Sequence, residues 1–280
     1  LSLSVQAQQD GFFTSKLAAQ KKFETDYLKA VNYDQFKVHL TELTKNPHIT
    51  GTPENELVKD YMVQVMSQAG MDVKVWPYDV YLPNHPGKSE LQIISPVQLT
   101  LSQKEGELAE DPFSTDPRLH LGFNAFSGSG DVTAEVVYVN YGTREDFMKL
   151  VEMGVPLKGK VAIARYGGNF RGYKAKFAEQ QGMVGLVVYT DPKDSGFTRG
   201  DVYPKGPFYN ETTIQRGSML TLDFTGDPLT PNRPALPLDG PVKVKRDDPA
   251  TVDFHTIPVT PIGYGAAKEI LSRMTGADVP

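Results

Sequence analysis

The stretch from Lys160 to Asp191 limits the fold more than any other part of this chain. It reads as a short apolar strand, a loop with a Gly-Gly pair, a helix and a second apolar strand. Gly182 ends the helix, as glycine often does where a chain leaves helical geometry. The loop therefore lies at a junction between strand and helix, where unpaired backbone N–H groups are available to an anion.

Four cations cluster in and around this loop: Arg165, Arg171, Lys174 and Lys176. The whole chain has a formal net charge of -5, so the cluster is local and does not belong to a generally basic surface. A nucleic-acid-binding protein needs an extended basic surface to neutralise many phosphates. The pattern therefore predicts a small anionic ligand such as a carboxylate, and no nucleic acid partner.

Composition places the chain among globular proteins. Hydrophobic residues make up 39% of its 280 residues, and no apolar run approaches the ~20 residues of a membrane span. This length is enough for about two domains. The absence of cysteine excludes disulfides, thiolate zinc ligands and cysteine nucleophiles, but it leaves the cellular compartment open.

Residues 1–16 have two interpretations. The opening LSLSVQA has Val5 and Ala7 at the small-residue positions that precede a cleavage point, as at the end of a signal peptide. The alternative is a disordered chain end. On the first interpretation we expect a secreted or periplasmic protein.

The chain up to residue 88 is helical and then becomes mixed. Apolar spacing predicts helices at Leu17–Val31, Tyr33–Leu43 and Pro53–Ala69, a strand at Met71–Trp76, and a short or edge strand at Tyr78–Leu82. The segment Pro83–Lys88 contains proline, asparagine and glycine, which are typical of a link. We therefore expect a domain boundary there.

Short strands and long polar loops follow this link. The predicted strands are Leu91–Ile94, Gln98–Leu101, Ala134–Asn140, Lys160–Arg165 and Gly185–Thr190, and the predicted helices are Arg144–Met153, Tyr173–Gln181 and Tyr264–Met274. Proline crowds into Asp227–Pro241, which predicts a loop. The pattern favours an α+β fold built around a β-sandwich or open barrel.

The histidines do not form a zinc motif. There are five, at positions 39, 48, 85, 120 and 255, and none belongs to an HExxH pair or to a carboxylate cluster at ligand spacing. A zinc peptidase needs such ligands and a free carboxylate base beside the metal-bound water. The sequence therefore predicts no zinc ligand and no catalytic residue in this chain.

Several motifs, in order along roughly residues 20 to 280, resemble one family of enzymes. They are PHITGT at 47–52, ARYG at 164–167 followed by FRG at 170–172, GMVGLVVYTDP at 182–192, QRG at 215–217, GDPLTP at 226–231 and IPVTPIGY at 257–264. Together they resemble the glutamate carboxypeptidase II (prostate-specific membrane antigen) family of zinc exopeptidases. The central motifs are similar to the apical, protease-associated domain of that family.

The resemblance implies a domain organisation. Residues 17–88 correspond to an incomplete N-terminal part of the α/β peptidase domain, and residues 89–280 to the apical protease-associated domain inserted after it. In that family the ligands of two zinc ions follow the apical domain, so they lie outside this chain. The resemblance therefore implies a peptide substrate with a free C-terminal carboxylate, a homodimeric full-length parent, and no activity for this fragment alone.

Arg171 and Ser218 are the substrate-binding positions that the resemblance implies. Arg171 matches the family arginine that binds the free α-carboxylate, and a guanidinium is suited to this because its planar fork of donors pairs a carboxylate bidentately. Ser218 stands where the family has an asparagine that also holds this carboxylate. Serine offers one donor and a shorter reach, so a strict preference for C-terminal glutamate is not expected to carry over.

The resemblance also implies half of a calcium site. In the family the backbone oxygens of the GDPLTP segment help to bind calcium, and Thr230 and Arg233 stand at the corresponding positions. Calcium accepts backbone carbonyls readily, and its carboxylate ligands would come from outside this chain. The alternative is a proline-rich loop that binds no ion.

A second functional class remains open at this point. A non-catalytic binding module similar to the transferrin receptor has the same architecture without the chemistry. The intact FRG loop favours the enzyme, because a module that binds no carboxylate has little need of Arg171.

Overall fold

The structure is a computed structural model in which residues 11–83 and 85–276 are described. Contacts within the chain divide it into two units, residues 1–73 and 74–280. The predicted signal-peptide residues 1–10 lie outside the described residues, and residues 14–16 form one turn of 3-10 helix. In the described ranges, no helix has the length and apolarity that crossing a membrane requires.

The first unit is formed by three helices. They are α1 (Leu17–Ala30), α2 (Tyr33–Thr44) and α3 (Pro53–Gln68), which confirms the three predicted helices to within a few residues at their ends. Asn32 caps α2 by accepting from the Asp34 N–H, and Thr52 caps α3 by accepting from the Asn55 N–H. Within these described helices no residue is buried, so their apolar faces are not covered inside this unit.

The predicted strands at residues 71–76 and 78–82 are wrong: neither segment pairs as a strand. Backbone groups of the second segment bond instead to the proline-rich loop at 227–238. The Asp79 N–H donates to the Ala235 carbonyl at 2.9 Å, and the Tyr81 N–H donates to the Asp227 carboxylate at 2.5 Å. Alternating apolar residues indicate an extended chain, but a strand also needs a neighbouring edge to pair with.

A four-stranded parallel sheet is the centre of the second unit. Its strands are β4 (Val136–Tyr138), β5 (Val161–Arg165), β6 (Gly185–Tyr189) and β8 (Val259–Ile262), in the order β4-β5-β6-β8. Ala162 pairs with Leu186, and Val188 pairs with Pro261. Every residue of β6 is buried, as expected for an inner strand covered on both faces.

Two short pairs of strands accompany this sheet. The strands β1 (Gln92–Ile93) and β2 (Leu99–Thr100) form an antiparallel pair. The strands β3 (Asn124–Ala125) and β7 (Gly217–Ser218) form a parallel pair in which Asn124 lies opposite Gly217 and Ala125 opposite Ser218. The sequence analysis predicted β1 and β2 but missed β3 and β7, because two residues are too few to show a period.

Helices accompany the parallel strands. They are α4 (Arg144–Glu152), α5 (Arg171–Gln180), α6 (Pro192–Ser195) and α7 (Tyr264–Leu271). Thr143 and Asp146 form a capping box at the start of α4, which fixes where that helix begins. Because α4 and α5 lie between consecutive parallel strands, each junction after a strand returns to the same edge of the sheet.

The core has one part on each face of the sheet. Ala162, Ala164, Leu186 and Val188 pack on one face against residues of α4 and α5, including Phe147 and Ala175. Ile163, Val187, Tyr189 and Ile262 pack on the other face against α7 and the β1–β2 pair. Successive residues of each strand point to opposite faces of the sheet. A shift of one residue in the pairing would exchange the two sets of side chains, so this alternation fixes the register.

This arrangement confirms a fold of mixed helices and strands, but the predicted type of sheet is wrong. We expected a β-sandwich or open barrel, whereas the main sheet is parallel and has helices on both faces. The strand β8 was missed because it contains Pro261, which is unusual inside a sheet. Since β8 is an edge strand in the described residues, its proline can be tolerated there.

Candidate functional site

Arg171 is the first residue of α5, at the carboxyl-terminal side of β5. It follows Phe170, whose side chain makes no capping hydrogen bond to the helix. The Arg171 guanidinium carbon lies 5.7 Å from the Tyr166 ring centre and 5.5 Å from the Phe170 ring centre. The predicted binding arginine is therefore held between two aromatic rings and is partly exposed.

Gly217 provides the space for this guanidinium. A Cβ atom built on Gly217 would lie 2.1 Å from Nη1 of Arg171, which is closer than any real side-chain contact. The QRG segment thus needs glycine at 217 because the arginine occupies the volume of its absent side chain.

The guanidinium keeps unused donors. Its Nη1 lies 3.4 Å from the Ser218 carbonyl oxygen, which is long for a hydrogen bond, and its Nε is buried without a partner. A buried donor with no acceptor costs free energy, and an anionic ligand can supply the missing acceptor. This geometry is suited to binding a carboxylate.

Ser218 contacts Arg171 through its carbonyl oxygen rather than through its side chain. The Ser218 hydroxyl accepts a hydrogen bond from the Leu220 N–H at 3.1 Å. Successive residues of a strand project to opposite faces, so the Ser218 side chain leaves the face on which the guanidinium covers Gly217. Participation of the Ser218 hydroxyl in substrate binding stays a prediction.

Arg165, from the predicted basic cluster, belongs to an internal network. Its Nη1 lies 3.6 Å from the Asp194 carboxylate and 4.0 Å from that of Asp191. Its guanidinium also lies 3.9 Å above the Tyr141 ring. These contacts join the end of β5 to the segment after β6, so Arg165 stabilises the edge of the sheet.

Lys174 is fully buried and organises the loop before α5. Its ammonium donates to the carbonyl oxygens of Tyr141 and Gly167, and to the Asn169 side-chain oxygen at 2.8 Å. Burial lowers the pKa of the Lys174 ammonium to about 8. Arg165 and Arg171 each have a buried Nε without a partner, but Arg165 pairs with two carboxylates, whereas Arg171 has no ion pair with a carboxylate in the described part of the chain. Lys176 lies 3.9 Å from Asp223.

The residues after Ile214 form a turn rather than a second anion site. Arg216 donates to the Glu105 carboxylate at 2.9 Å and to the Ile214 carbonyl oxygen at 3.1 Å. The Gln215 carbonyl accepts from the Tyr166 hydroxyl at 2.9 Å. These bonds hold β7 beside β3 and so fix Gly217 beneath the guanidinium.

Thr230 and Arg233, the two predicted calcium ligands, point their carbonyl oxygens toward one place. A Cβ atom built on Gly226 would lie 3.5 Å from the Thr230 oxygen and 3.4 Å from the Arg233 oxygen. Each oxygen also accepts one hydrogen bond within the loop, from the Arg233 N–H and the Thr230 hydroxyl respectively. A carbonyl oxygen has a second lone pair, so this pair fits the backbone half of a calcium site.

His39 and His48 bond to groups that are not typical zinc ligands. His39 bonds to the Tyr61 hydroxyl at 2.8 Å, and His48 bonds to the Asn46 carbonyl oxygen at 2.9 Å. Over residues 11–83 and 85–276, no three His, Cys, Asp or Glu side chains come together as a metal-binding group. The described residues therefore do not fit a zinc site.

Sequence reasoning missed two groups of residues. Tyr166 lies against Arg171 and its hydroxyl lies 3.3 Å from Oδ1 of Asn124; Tyr166 was noted only as part of the ARYG motif, and Asn124 belongs to none of the motifs. The second group is a chain of hydrogen bonds in which the Thr221 hydroxyl lies 3.1 Å from Nε2 of His255, and Nδ1 of His255 lies 2.6 Å from the Glu179 carboxylate. These residues are far apart in the sequence, so only the fold brings them together.

A family model described as the PA domain matches residues 132–221. The matched range begins before β4 and ends after β7, so it includes Arg171, Gly217 and Ser218. It thus covers three of the four strands of the parallel sheet, together with Arg171 and Gly217.

Curated relatives match a larger part of the chain. A protein of Arthroderma benhamiae named probable glutamate carboxypeptidase is 42% identical over 67% of this chain and 26% of its own length. A glutamate carboxypeptidase 2 homolog of Caenorhabditis elegans is 33% identical over 89% of this chain and 33% of its own length. A mouse protein named aminopeptidase NAALADL1 is 32% identical over 88% of this chain and 33% of its own length.

The chain thus spans about a third or less of the length of these relatives. A solved zinc aminopeptidase from Bacillus subtilis also matches, with 16% identity over 66% of this chain and 35% of that chain. Its TM-score of 0.37 is too low for any argument about fold or function. By its PA domain and by its similarity along most of its length to these curated relatives, the chain belongs to the glutamate carboxypeptidase family.

Proposed function

We propose that this chain is the N-terminal and substrate-recognition part of a secreted zinc exopeptidase that acts on peptides with a free C-terminal carboxylate. In this proposal Arg171 binds that carboxylate. The observation that most directly supports this role is the position of the partly exposed Arg171 guanidinium above Gly217. The Nε atom of Arg171 has no hydrogen-bond partner there. The relatives named glutamate carboxypeptidases support the same reaction class.

In this proposal the described residues do not bind the catalytic metal. They do not offer a set of ligands for zinc, so no catalytic step is assigned to them. The ligands of the zinc ions and the base that activates water are assigned to the complete protein. Homodimerisation of the complete protein is part of the same proposal.

Calcium is a second ion in this proposal. The carbonyl oxygens of Thr230 and Arg233 would supply two of its ligands, and carboxylates from elsewhere would supply charge. Calcium bound there would stabilise the loop at 226–233. Addition of calcium to the complete protein, followed by its thermal unfolding, tests this: the midpoint should rise for the wild type and not for a chelator-treated sample.

One experiment tests the carboxylate site on this chain. N-acetylglycylglycine carries a free C-terminal carboxylate and no side chain, and its C-terminal amide is an otherwise identical control. We expect the acid to shift the backbone amide resonances of residues around Arg171 and Gly217 during an NMR titration. The amide should bind at least tenfold more weakly, because a charge-assisted bond contributes about 1.5–3 kcal/mol.

The matched variants are Arg171→Ala and Lys176→Ala. Both remove one cation from α5, but only Arg171 lies above Gly217. Loss of acid binding in the first variant and retention in the second is the expected result. Equal binding of acid and amide by the wild type would overturn the carboxylate site.

The comparison of acid and amide binding also distinguishes recognition of a C-terminal carboxylate, as in a carboxypeptidase, from recognition of a free amino terminus, as in an aminopeptidase. One curated relative is named an aminopeptidase, and an enzyme that recognises a free amino terminus has no need to discriminate between a C-terminal acid and its amide. Preference for the acid therefore favours carboxypeptidase specificity.

A further inference from the structure

Asn124 lies beside Arg171 although nearly fifty residues separate them. In the parallel pair β3–β7, Asn124 is opposite Gly217. Residues opposite each other in a parallel pair project from the same face, and neighbouring strands are about 4.8 Å apart. Since the Arg171 guanidinium fills the side-chain volume of Gly217, the Asn124 side chain and the guanidinium are neighbours on one face.

Tyr166 joins these two side chains. Its hydroxyl lies 3.3 Å from Oδ1 of Asn124 and donates to the Gln215 carbonyl oxygen at 2.9 Å. Its ring lies 5.7 Å from the Arg171 guanidinium carbon. The three side chains therefore form one cluster, which we call the Arg171 cluster: Asn124, Tyr166 and Arg171.

Two donors of the Arg171 cluster have no acceptor. Asn124 is only 3% exposed, yet its Nδ2 has no hydrogen-bond partner, and Nε of Arg171 has none either. Five buried side-chain atoms in the described part of the chain have no partner. Two of them, Arg165 Nε and Asp194 Oδ2, belong to a donor and an acceptor that form an ion pair, whereas Asn124 Nδ2 and Arg171 Nε are both donors. Nearly all buried donors in proteins are paired, so two unpaired donors at one place indicate a missing acceptor.

We infer that Asn124 is a second binding residue of the Arg171 site, and that its carboxamide donates to the same carboxylate that the Arg171 guanidinium binds. This inference rests on the proposed function. The carboxylate has two oxygens and about four acceptor positions, so it can satisfy the donors of both side chains. The Nη1 contact of Arg171 with the Ser218 oxygen is long, so Nη1 is also available for a charge-assisted hydrogen bond to the carboxylate.

The donor role distinguishes Asn124 from a residue that only fills space. Asn124→Leu keeps the size of the side chain and removes both its donor and the Oδ1 atom near the Tyr166 hydroxyl. Asn124→Asp keeps the shape, replaces the donor with an acceptor, and adds a negative charge beside the bound carboxylate.

The test is the ratio of the affinities of N-acetylglycylglycine and its C-terminal amide, measured by NMR titration of the 280-residue chain. We expect Asn124→Leu to lower acid affinity by roughly tenfold, with little change for the amide. Asn124→Asp should lower acid affinity further. Ala125→Ser, at the next position of β3, is the control and should retain the wild-type ratio.

Each other outcome has a distinct meaning. A wild-type ratio for Asn124→Leu, with Arg171→Ala still losing acid binding, overturns the role of Asn124 and leaves the carboxylate site intact. Acid binding by Asn124→Asp as tight as that of the wild type shows that this side chain accepts rather than donates, which also overturns the inference. If the wild type does not bind N-acetylglycylglycine more tightly than its C-terminal amide, both the carboxylate site and the role of Asn124 are overturned. Circular dichroism spectra and amide resonances distant from Arg171 establish that each variant is folded.

Discussion

The guanidinium of Arg171 occupies the volume that a side chain at Gly217 would fill. The separation of 2.1 Å between Nη1 of Arg171 and a Cβ atom built on Gly217 makes any larger residue there incompatible with this position of the arginine. Two short motifs that are 45 residues apart in the sequence, FRG and QRG, are therefore one structural unit.

Gly217→Ala should weaken binding of carboxylates without unfolding the protein. The added methyl group displaces a guanidinium at the end of a flexible side chain, and this movement costs little stability but misplaces the donors. We expect a fall of roughly tenfold in the affinity for N-acetylglycylglycine, as for the loss of one charge-assisted hydrogen bond. NMR titration gives the affinity.

Gly130→Ala is the control for that substitution. The nearest atom to a Cβ built on Gly130 is 3.7 Å away, which is an ordinary contact. Unchanged affinity in Gly217→Ala would mean that the position of the guanidinium above Gly217 is not the binding position.

Lys174 should make stability depend on alkaline pH. In the unfolded chain this lysine keeps its proton up to about pH 10.5, whereas burial lowers its pKa in the folded protein to about 8. Between these values the unfolded state binds more protons, so rising pH stabilises the folded state relative to the unfolded state. The free energy of unfolding of the wild type should therefore rise relative to that of Lys174→Met from pH 8 to pH 10.

Urea unfolding at pH 7, 8, 9 and 10 measures the difference in free energy of unfolding between the wild type and Lys174→Met. Because both proteins contain the other titratable groups, the contributions of those groups cancel in this difference. Lys149→Met replaces an exposed lysine on α4 and should show no such trend. A constant difference between wild type and Lys174→Met over this range would show that Lys174 keeps an ordinary pKa.

Glu179 should stabilise the fold at neutral pH. Burial by itself raises the pKa of its carboxyl group, but hydrogen bonds from His255 and from the N–H groups of Thr256 and Ile257 outweigh burial, so the pKa is lowered. The carboxylate accepts from Nδ1 of His255 at 2.6 Å and from the Thr256 N–H at 2.6 Å. Glu179→Gln should lower the free energy of unfolding at pH 7 by about 1.5–3 kcal/mol.

This stabilisation has a defined pH dependence. A lowered folded pKa contributes stability that is present above the unfolded pKa and is lost as pH falls through the folded pKa. The free energies of unfolding of the wild type and Glu179→Gln should therefore converge in acid, at pH values below the ordinary glutamate pKa of 4.5. Denaturant unfolding at pH 7 and pH 3 checks this, with the exposed Glu152→Gln as control. If the free energies of unfolding of the wild type and Glu179→Gln differed by the same amount at pH 7 and pH 3, this pH dependence would be contradicted.

Zinc should not confer peptidase activity on this chain alone. The described residues do not fit a zinc site, so a metal-bound water with a pKa near 7 is not expected here. The purified chain, incubated with zinc and an N-acylated dipeptide, should release no product above the rate of a zinc-only blank. Turnover that a chelator abolishes would contradict this expectation.

The sequence determined the elements whose patterns are local. The helices α1 to α5 and α7, and the strands β5 and β6, follow from apolar periodicity and from glycine at their ends, and their predicted bounds agree closely with the structure. The motifs around FRG, QRG and GDPLTP likewise gave the family without any coordinates. Arg171 was selected by its place in the FRG motif, where it matches the family arginine that binds the free α-carboxylate, and a guanidinium is suited to that role.

Only the tertiary structure decided which residues surround Arg171. Alternation at 71–76 predicted a strand, but no neighbouring edge pairs with it, whereas Asn124 and Gly217 lie opposite each other in two paired strands that are too short to have a period. Arg165 and Lys174 have the same charge as Arg171, yet carboxylates pair with Arg165 and carbonyl oxygens accept from Lys174 inside the fold. Which cation remains available to an anion depends on burial and on partners far away in the chain, and local sequence contains neither.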